Sequence, residues 1–120
     1  MVVHGEDGLD EITLDGRTRI SELRNDTIRT FDLDPSDLGF ERRGLDEIRG
    51  GDPEENAAIT LEVLKGRPGA PREIVLLNSG AAIYIAEVAE SIRAGVEAAR
   101  HSIDSGSALE RLKTLRRRAQ

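Results

Sequence analysis

Residues 73–89 read Glu73-Ile74-Val75-Leu76-Leu77-Asn78-Ser79-Gly80-Ala81-Ala82-Ile83-Tyr84-Ile85-Ala86-Glu87-Val88-Ala89. After Glu73 only Asn78, Ser79, Gly80, Tyr84 and Glu87 interrupt the apolar run. Periodicity leaves two readings open. Ile74 to Leu77 fits a buried parallel strand, and the whole run fits a helix that is apolar on every side. Downstream the pattern is clearer. Ser91 to Ser105 reads as a helix with Ile92, Val96, Ala99 and Ile103 inward, closed by Gly106. Ser107 with Glu110 caps a last helix. Upstream, residues 67–72 contain Pro68 and Pro71 and read as loop.

Gly50-Gly51-Asp52-Pro53-Glu54-Glu55 is a strong helix start. Asp52 is placed to cap, Pro53 suits the first helical position, and Glu55 lies three residues after the cap. That helix should run to Lys65, stop at Gly66 and turn Ala57, Ala58, Leu61 and Leu64 to one side. The first part of the chain reads as strands. Met1 to His4 is a short β-branched strand, and Ile12-Thr13-Leu14 resumes extended structure. Asp15-Gly16 is a hairpin signal. Residues 17–24 and 27–33 are strands around an Asn25-Asp26 turn. Asp34-Pro35 opens one helical turn, and 45–49 reads as a short helix. Strands first and helices after give an α/β or α+β plan. The first strand has no lead-in, and a helix apolar all round needs more cover than these elements supply. Both features are expected of a piece of a larger fold.

The chain has 120 residues and a net charge of −6. Five of its seventeen cations (Arg111, Lys113, Arg116, Arg117 and Arg118) lie at the end, leaving a strongly acidic body. That balance argues against a general nucleic-acid binder; the basic tail reads as complementing the negative end of a final helix, with contact to nucleic acid as the other reading. With two Phe, one Tyr and no Trp, the chain has little material for a base-stacking surface of the usual single-strand-binding type. No run is long enough to span a membrane. Without Cys there is no disulfide, thiolate catalysis or Cys-type zinc site. The absence of a signal-peptide plan at the start fits a cytoplasmic location.

Few residues are placed to carry chemistry. His4 ends a strand beside a glycine; it reads as a packing histidine bonded to backbone, with a site role as the other reading. His101 reads as surface. Asn78 must be hydrogen-bonded if buried, holding the backbone of a neighbouring element or touching a ligand. Gly50-Gly51 reads as part of a structural cap, because Asp52, Glu54 and Glu55 already bring negative charge to those N–H groups. The best candidate is the acidic turn Gly5-Glu6-Asp7-Gly8-Leu9-Asp10-Glu11. Adjacent side chains on a straight strand diverge, so Asp10 and Glu11 converge only if the backbone turns. Paired carboxylates with few other ligands suit magnesium. A solvated acidic loop is the plain alternative.

Four motifs occur in order. Val3-His4-Gly5-Glu6-Asp7-Gly8-Leu9-Asp10-Glu11 resembles the His-Gly-x-x-Gly-Leu-Asp-Glu segment of the anthranilate phosphoribosyltransferase family. Gly50-Gly51-Asp52-Pro53-Glu54-Glu55-Asn56-Ala57 is similar to that family's Gly-Gly-Asp-x-x-x-Asn-Ala helix start. Leu76-Leu77-Asn78 with Ala81-Ala82-Ile83-Tyr84 resembles its Leu-Leu-Asn-Ala-Ala-Ala-Ala-Leu helix. Gly95, Ala98 and Ile103 to Leu109 match its C-terminal end. Ser79-Gly80 replaces two alanines, a slight weakening of the helix, and Glu87 stands where a glycine is common.

The resemblance runs over essentially all 120 residues but covers only the last third of such an enzyme. It implies an α/β fold: the C-terminal part of a phosphoribosyltransferase domain of glycosyltransferase family 3 type, with an antiparallel hairpin followed by helices. It makes 73–89 a helix. The helical N-terminal domain and the phosphoribosyl-pyrophosphate loop are outside residues 1–120, so the chain alone is expected to be inactive. The implied reaction transfers phosphoribose from phosphoribosyl pyrophosphate to anthranilate, in a homodimeric enzyme of tryptophan biosynthesis. Asp10 and Glu11 match the family's Mg2+-binding pair. A non-catalytic interaction or regulatory module derived from the same fold is the competing reading, marked by a partner covering helix 73–89.

Overall fold

The computed structural model describes residues 1–118, which divide into two compact units, Met1–Ile48 and one beginning at Arg49. The first unit is a three-stranded antiparallel sheet in the order β1 (Val2–Gly5), β2 (Thr18–Arg24), β3 (Thr27–Leu33). Asn25 (φ 49°) and Asp26 (φ 57°) both take the left-handed conformation, as a two-residue hairpin loop requires. They join Arg24 to its cross-strand partner Thr27. Thr18, Ile20 and Glu22 form the buried face of β2. The chain then turns through short 3₁₀ segments at Pro35–Leu38 and Leu45–Ile48.

Two expectations fail between β1 and β2. Ile12-Thr13-Leu14 does not form a strand, and Asp15-Gly16 is not a two-residue hairpin. Both lie in the long connection from Glu6 to Arg17. The apolar pattern of 12–14 reflects burial instead: Ile12, Thr13 and Leu14 are all within 1% of full burial. Their backbone is satisfied outside any ladder. Thr13 N–H donates to Thr18 Oγ1 at 3.0 Å, and Arg43 N–H donates to the Leu14 carbonyl at 3.1 Å.

Asp34 caps the first 3₁₀ segment. Its carboxylate accepts from Ser36 N at 3.1 Å, Ser36 Oγ at 2.6 Å and Arg42 Nη2 at 2.6 Å. The Ser36 hydroxyl, then Arg42, hold its pKa down at about 2 against an ordinary 3.8. A depressed carboxylate pKa adds stability that is present above pH ~4 and lost as pH falls through the folded value. Asp34→Asn should therefore flatten the fall in stability between about pH 4 and pH 2. Urea melts of both proteins across that window check it. An unchanged acid slope would show that the Asp34 bonds do not persist in solution.

The second unit contains α1 (Pro53–Leu64), α2 (Ala70–Ile85), α3 (Ile92–Asp104) and α4 (Ser107–Arg118). The start of α1 is as read. Asp52 accepts from Glu54 N and Glu55 N, both at 2.9 Å, and Glu55 Oε2 accepts from Asp52 N at 3.1 Å. The buried side of α1 differs from the expected one. Ala57 and Ala58 are exposed, Leu61 and Leu64 half-buried, and Val63 is the buried position with Ile59 beside it. Alanine removes little apolar area from water, so Ala57 and Ala58 do not hold their side of the helix inward.

The run that left strand and helix open is helix α2, and it starts earlier than the loop reading of 67–72 allows. Pro71 sits in its first turn, where no N–H is needed. It is also not covered on all sides. Leu76, Leu77, Gly80 and Ala81 are buried, whereas Val75 and Ile85 are exposed. Helix α3 buries Gly95, Val96, Ala99 and Ile103. Ser107 lies within α4 and does not precede it, and its hydroxyl pairs with Ser105 Oγ at 2.9 Å.

Helix α2 ends in a Schellman arrangement: Glu87 N–H donates to Tyr84 O at 3.0 Å and Val88 N–H to Ile83 O at 3.2 Å. Glu87 carries the left-handed φ of 59°. This gives the position where a glycine is common a physical reason. Glu87→Gly relieves that conformation but loosens the unfolded chain, for a net gain of about 0.5–1 kcal/mol. A thermal midpoint raised by a few degrees is the expected reading, and a lowered midpoint would contradict the cap.

Candidate metal site in the loop after β1

The loop begins where β1 ends at Gly5. Gly5 N–H donates to the Leu9 carbonyl at 2.8 Å and Gly8 N–H to the Gly5 carbonyl at 2.9 Å, so the backbone doubles back at once. Gly8 (φ 95°) takes the conformation that tight reversal needs. Across the base of the loop, Glu6 N–H donates to the Arg17 carbonyl at 2.9 Å, and Arg17 N–H donates to Glu6 Oε2 at 3.1 Å. Inside it, Asp7 accepts from Leu9 N at 3.1 Å and from the Thr13 hydroxyl.

The four carboxylates of the turn therefore divide. Glu6 and Asp7 are occupied by donors of the loop itself. Asp10 and Glu11 are exposed, and among the described residues neither has a hydrogen-bond or ion-pair partner. Among those residues no group of three or more His, Asp or Glu is gathered to hold a metal ion. What the loop offers is two hard oxygen donors on adjacent residues, facing water. That donor set suits Mg2+, which takes few protein ligands and keeps water and phosphate oxygens in its shell.

The other candidates fall away from the site. His4 is exposed and its side chain has no hydrogen-bond partner among the described residues, unlike the packed, backbone-bonded histidine first read there. His101 is exposed on α3 as expected. Asn78 is half-buried and donates to the Ile74 carbonyl one turn back in its own helix at 3.1 Å. Gly50-Gly51 is a cap. Asn56, which had no assigned role, latches it: Oδ1 accepts from Gly51 N and Nδ2 donates to Gly51 O, both at 2.9 Å. The Gly51 N–H is thus occupied. Arg116, Arg117 and Arg118 sit in the last turn of α4, where they complement its dipole.

The helical unit also holds a cavity of about 360 Å³ between α1 and the start of α2, bordered by Ile59, Glu62, Val63, Arg67, Pro71 and Arg72. Its charges are ion-paired, with Arg72 Nε buried and without a hydrogen-bond partner. Glu62 meets Lys65 at 3.1 Å and Arg67 at 3.5 Å, and Arg72 meets Asp104 at 2.6 Å.

A sheet followed by packed helices, with a pair of free carboxylates on the first loop, defines a class that comparison makes specific. Residues 1–109 match the glycosyl transferase family, a/b domain, and the chain belongs to that family. Its relatives there include anthranilate phosphoribosyltransferases. It is 47% identical over 115 residues to the one from Clostridium beijerinckii, covering 96% of this chain and 34% of that protein. To the one from Neisseria meningitidis serogroup C it is 52% identical over 109 residues, covering 90% and 31%. Among solved structures it resembles the Thermus thermophilus enzyme of that name, with TM-score 0.84, 38% identity, and coverage of 93% of this chain and 33% of that one. The Saccharomyces cerevisiae enzyme in complex with phosphoribosyl pyrophosphate and Mg gives TM-score 0.81 at 32% identity, covering 92% and 32%. The chain spans about a third of the length of the relatives it matches. Among the described residues no helix is long and apolar enough to cross a membrane.

Proposed function

We propose that residues 1–120 form the C-terminal segment of the catalytic α/β domain of an anthranilate phosphoribosyltransferase. The whole enzyme transfers phosphoribose from phosphoribosyl pyrophosphate to the amine of anthranilate and releases pyrophosphate. It serves tryptophan biosynthesis in the cytoplasm as a homodimer. The observation that carries this reading is identity of 47% and 52% to enzymes of that name, over nine-tenths or more of this chain.

Within that enzyme Asp10 and Glu11 hold Mg2+. The bound ion supplies positive charge for the departing pyrophosphate. Asp10 and Glu11 supply two anionic oxygen donors, and their exposure leaves room for water and phosphate oxygens beside them. Glu6 and Asp7 already accept hydrogen bonds within the loop, which favours Asp10 and Glu11 as the ligand pair. The attacking group is the substrate's own amine, so no protein nucleophile is called for.

The test is a chimera in which residues 1–109 replace the matching third of the Thermus thermophilus enzyme. It should form phosphoribosyl anthranilate in a Mg2+-dependent manner, while the 120-residue chain alone gives no turnover. A folded chimera that binds phosphoribosyl pyrophosphate yet makes no product would overturn the assignment.

A further inference from the structure

The geometry points to Asp7 and Thr13 as positioning residues that aim the Asp10–Glu11 pair; this rests on the metal assignment proposed above. Three independent features support it. Thr13 is fully buried although it lies in a loop. Its N–H is held by Thr18 Oγ1 of β2 at 3.0 Å, and its Oγ1 accepts from Asp15 N at 3.0 Å. The same hydroxyl donates to Asp7 Oδ2, whose other oxygen accepts from Leu9 N at 3.1 Å. A continuous bonded path therefore runs from the sheet through Thr18, Thr13 and Asp7 to the residue just before Asp10. Gly5 makes room for that path. A Cβ there would lie 2.4 Å from Asp7 Oδ1 and 3.2 Å from Thr13 Cβ and Cγ2.

These bonds satisfy buried polar groups of the loop, and two adjacent carboxylates that must receive one ion gain from the same fixation. Like charges repel until the cation arrives, and a loop free to splay must be reordered when it binds. A fixed backbone at Leu9 removes part of that ordering cost. Asp7 and Thr13 thus stand to Asp10 and Glu11 as outer partners stand to metal ligands. Loss of such partners commonly weakens metal binding by about 10–100-fold.

The test uses the full chain with Mn2+ as the probe, followed by water-proton relaxation, with thermal melts alongside. Thr13→Val should weaken Mn2+ binding about 10-fold or more, and Thr13→Ser, which restores the hydroxyl, should recover it to within about twofold. Asp10→Asn with Glu11→Gln should abolish it. If Thr13→Val lowers the melting midpoint but binds Mn2+ like the parent, while the double variant does not bind, the brace is merely structural and the inference falls with the metal site intact. If the double variant still binds like the parent, the metal assignment fails and the brace fails with it. Should Thr13→Val not fold, Asp7→Asn is judged by the same criteria, because it keeps the side chain's size and one acceptor oxygen.

Discussion

Gly95→Ala is expected to destabilise the helical unit by about 3 kcal/mol, at the upper end of the range for overpacking a close contact. Helices α2 and α3 meet at Gly80 and Gly95. A Cβ on Gly95 would lie 2.1 Å from the Gly80 carbonyl oxygen and 2.9 Å from its carbon. Both are backbone atoms of a helix and cannot rotate aside. The helices must instead move apart, which opens the buried rows containing Leu76, Leu77 and Ala81 on α2 and Val96, Ala99 and Ile103 on α3. Alanine returns about 1 kcal/mol of helix propensity over glycine, which the steric cost exceeds. Chemical denaturation followed by far-UV circular dichroism and by emission from Tyr84, the chain's one tyrosine, reads the effect on α2 directly. Gly44→Ala is the control, since a Cβ there meets nothing within 4 Å. A Gly95→Ala midpoint equal to that of the control would mean that the helices do not approach so closely.

The same contact shows where sequence reading stops. Gly80 read as a small flaw in a helix, because propensity is local and the contact is not. Its partner lies on the next helix, and nothing in either segment pairs them. Features set by near neighbours were legible. Asp52 with Glu55 capped α1 and Asn25-Asp26 turned the hairpin, since every bond involved spans a few residues. Features set by which side faces inward were not. Residues 73–89 gave no periodicity to read; the family resemblance made them a helix, which holds as far as Ile85, while Ala86 to Ala89 lie beyond its end. The buried side of α1 and the role of Ile12-Thr13-Leu14 depended on packing that strand propensity cannot express. The acidic turn was legible as a cluster. The resemblance singled out Asp10 and Glu11, but spacing did not tell which carboxylates were already occupied. That division depends on Thr13 and Arg17, six and eleven residues away from the carboxylates they engage.

Asp10→Asn with Glu11→Gln, placed in the chimera with the Thermus thermophilus enzyme, is expected to lower Mg2+-dependent turnover by about 10³-fold, equivalent to about 4 kcal/mol of transition-state stabilisation. The magnitude follows from what two amides fail to do. They keep the size of the side chains but remove both formal charges, and neutral oxygens are poor partners for a hard divalent cation beside a diphosphate. The fold should not suffer, because neither carboxylate has a hydrogen-bond or ion-pair partner among the described residues, and exposed substitutions of that kind change stability by only about ±0.5 kcal/mol. Unchanged stability with lost activity is the signature of a ligand pair. Asp7→Asn should instead weaken both, since its carboxylate serves the Thr13 hydroxyl and Leu9 N–H. A double variant with parental turnover and parental Mg2+ dependence would mean that the two free carboxylates face water for some other reason, and the ion would have to be held elsewhere in the enzyme. If a large excess of Mg2+ partly restores turnover, weakened binding of the ion explains the loss, and damage to the sheet does not.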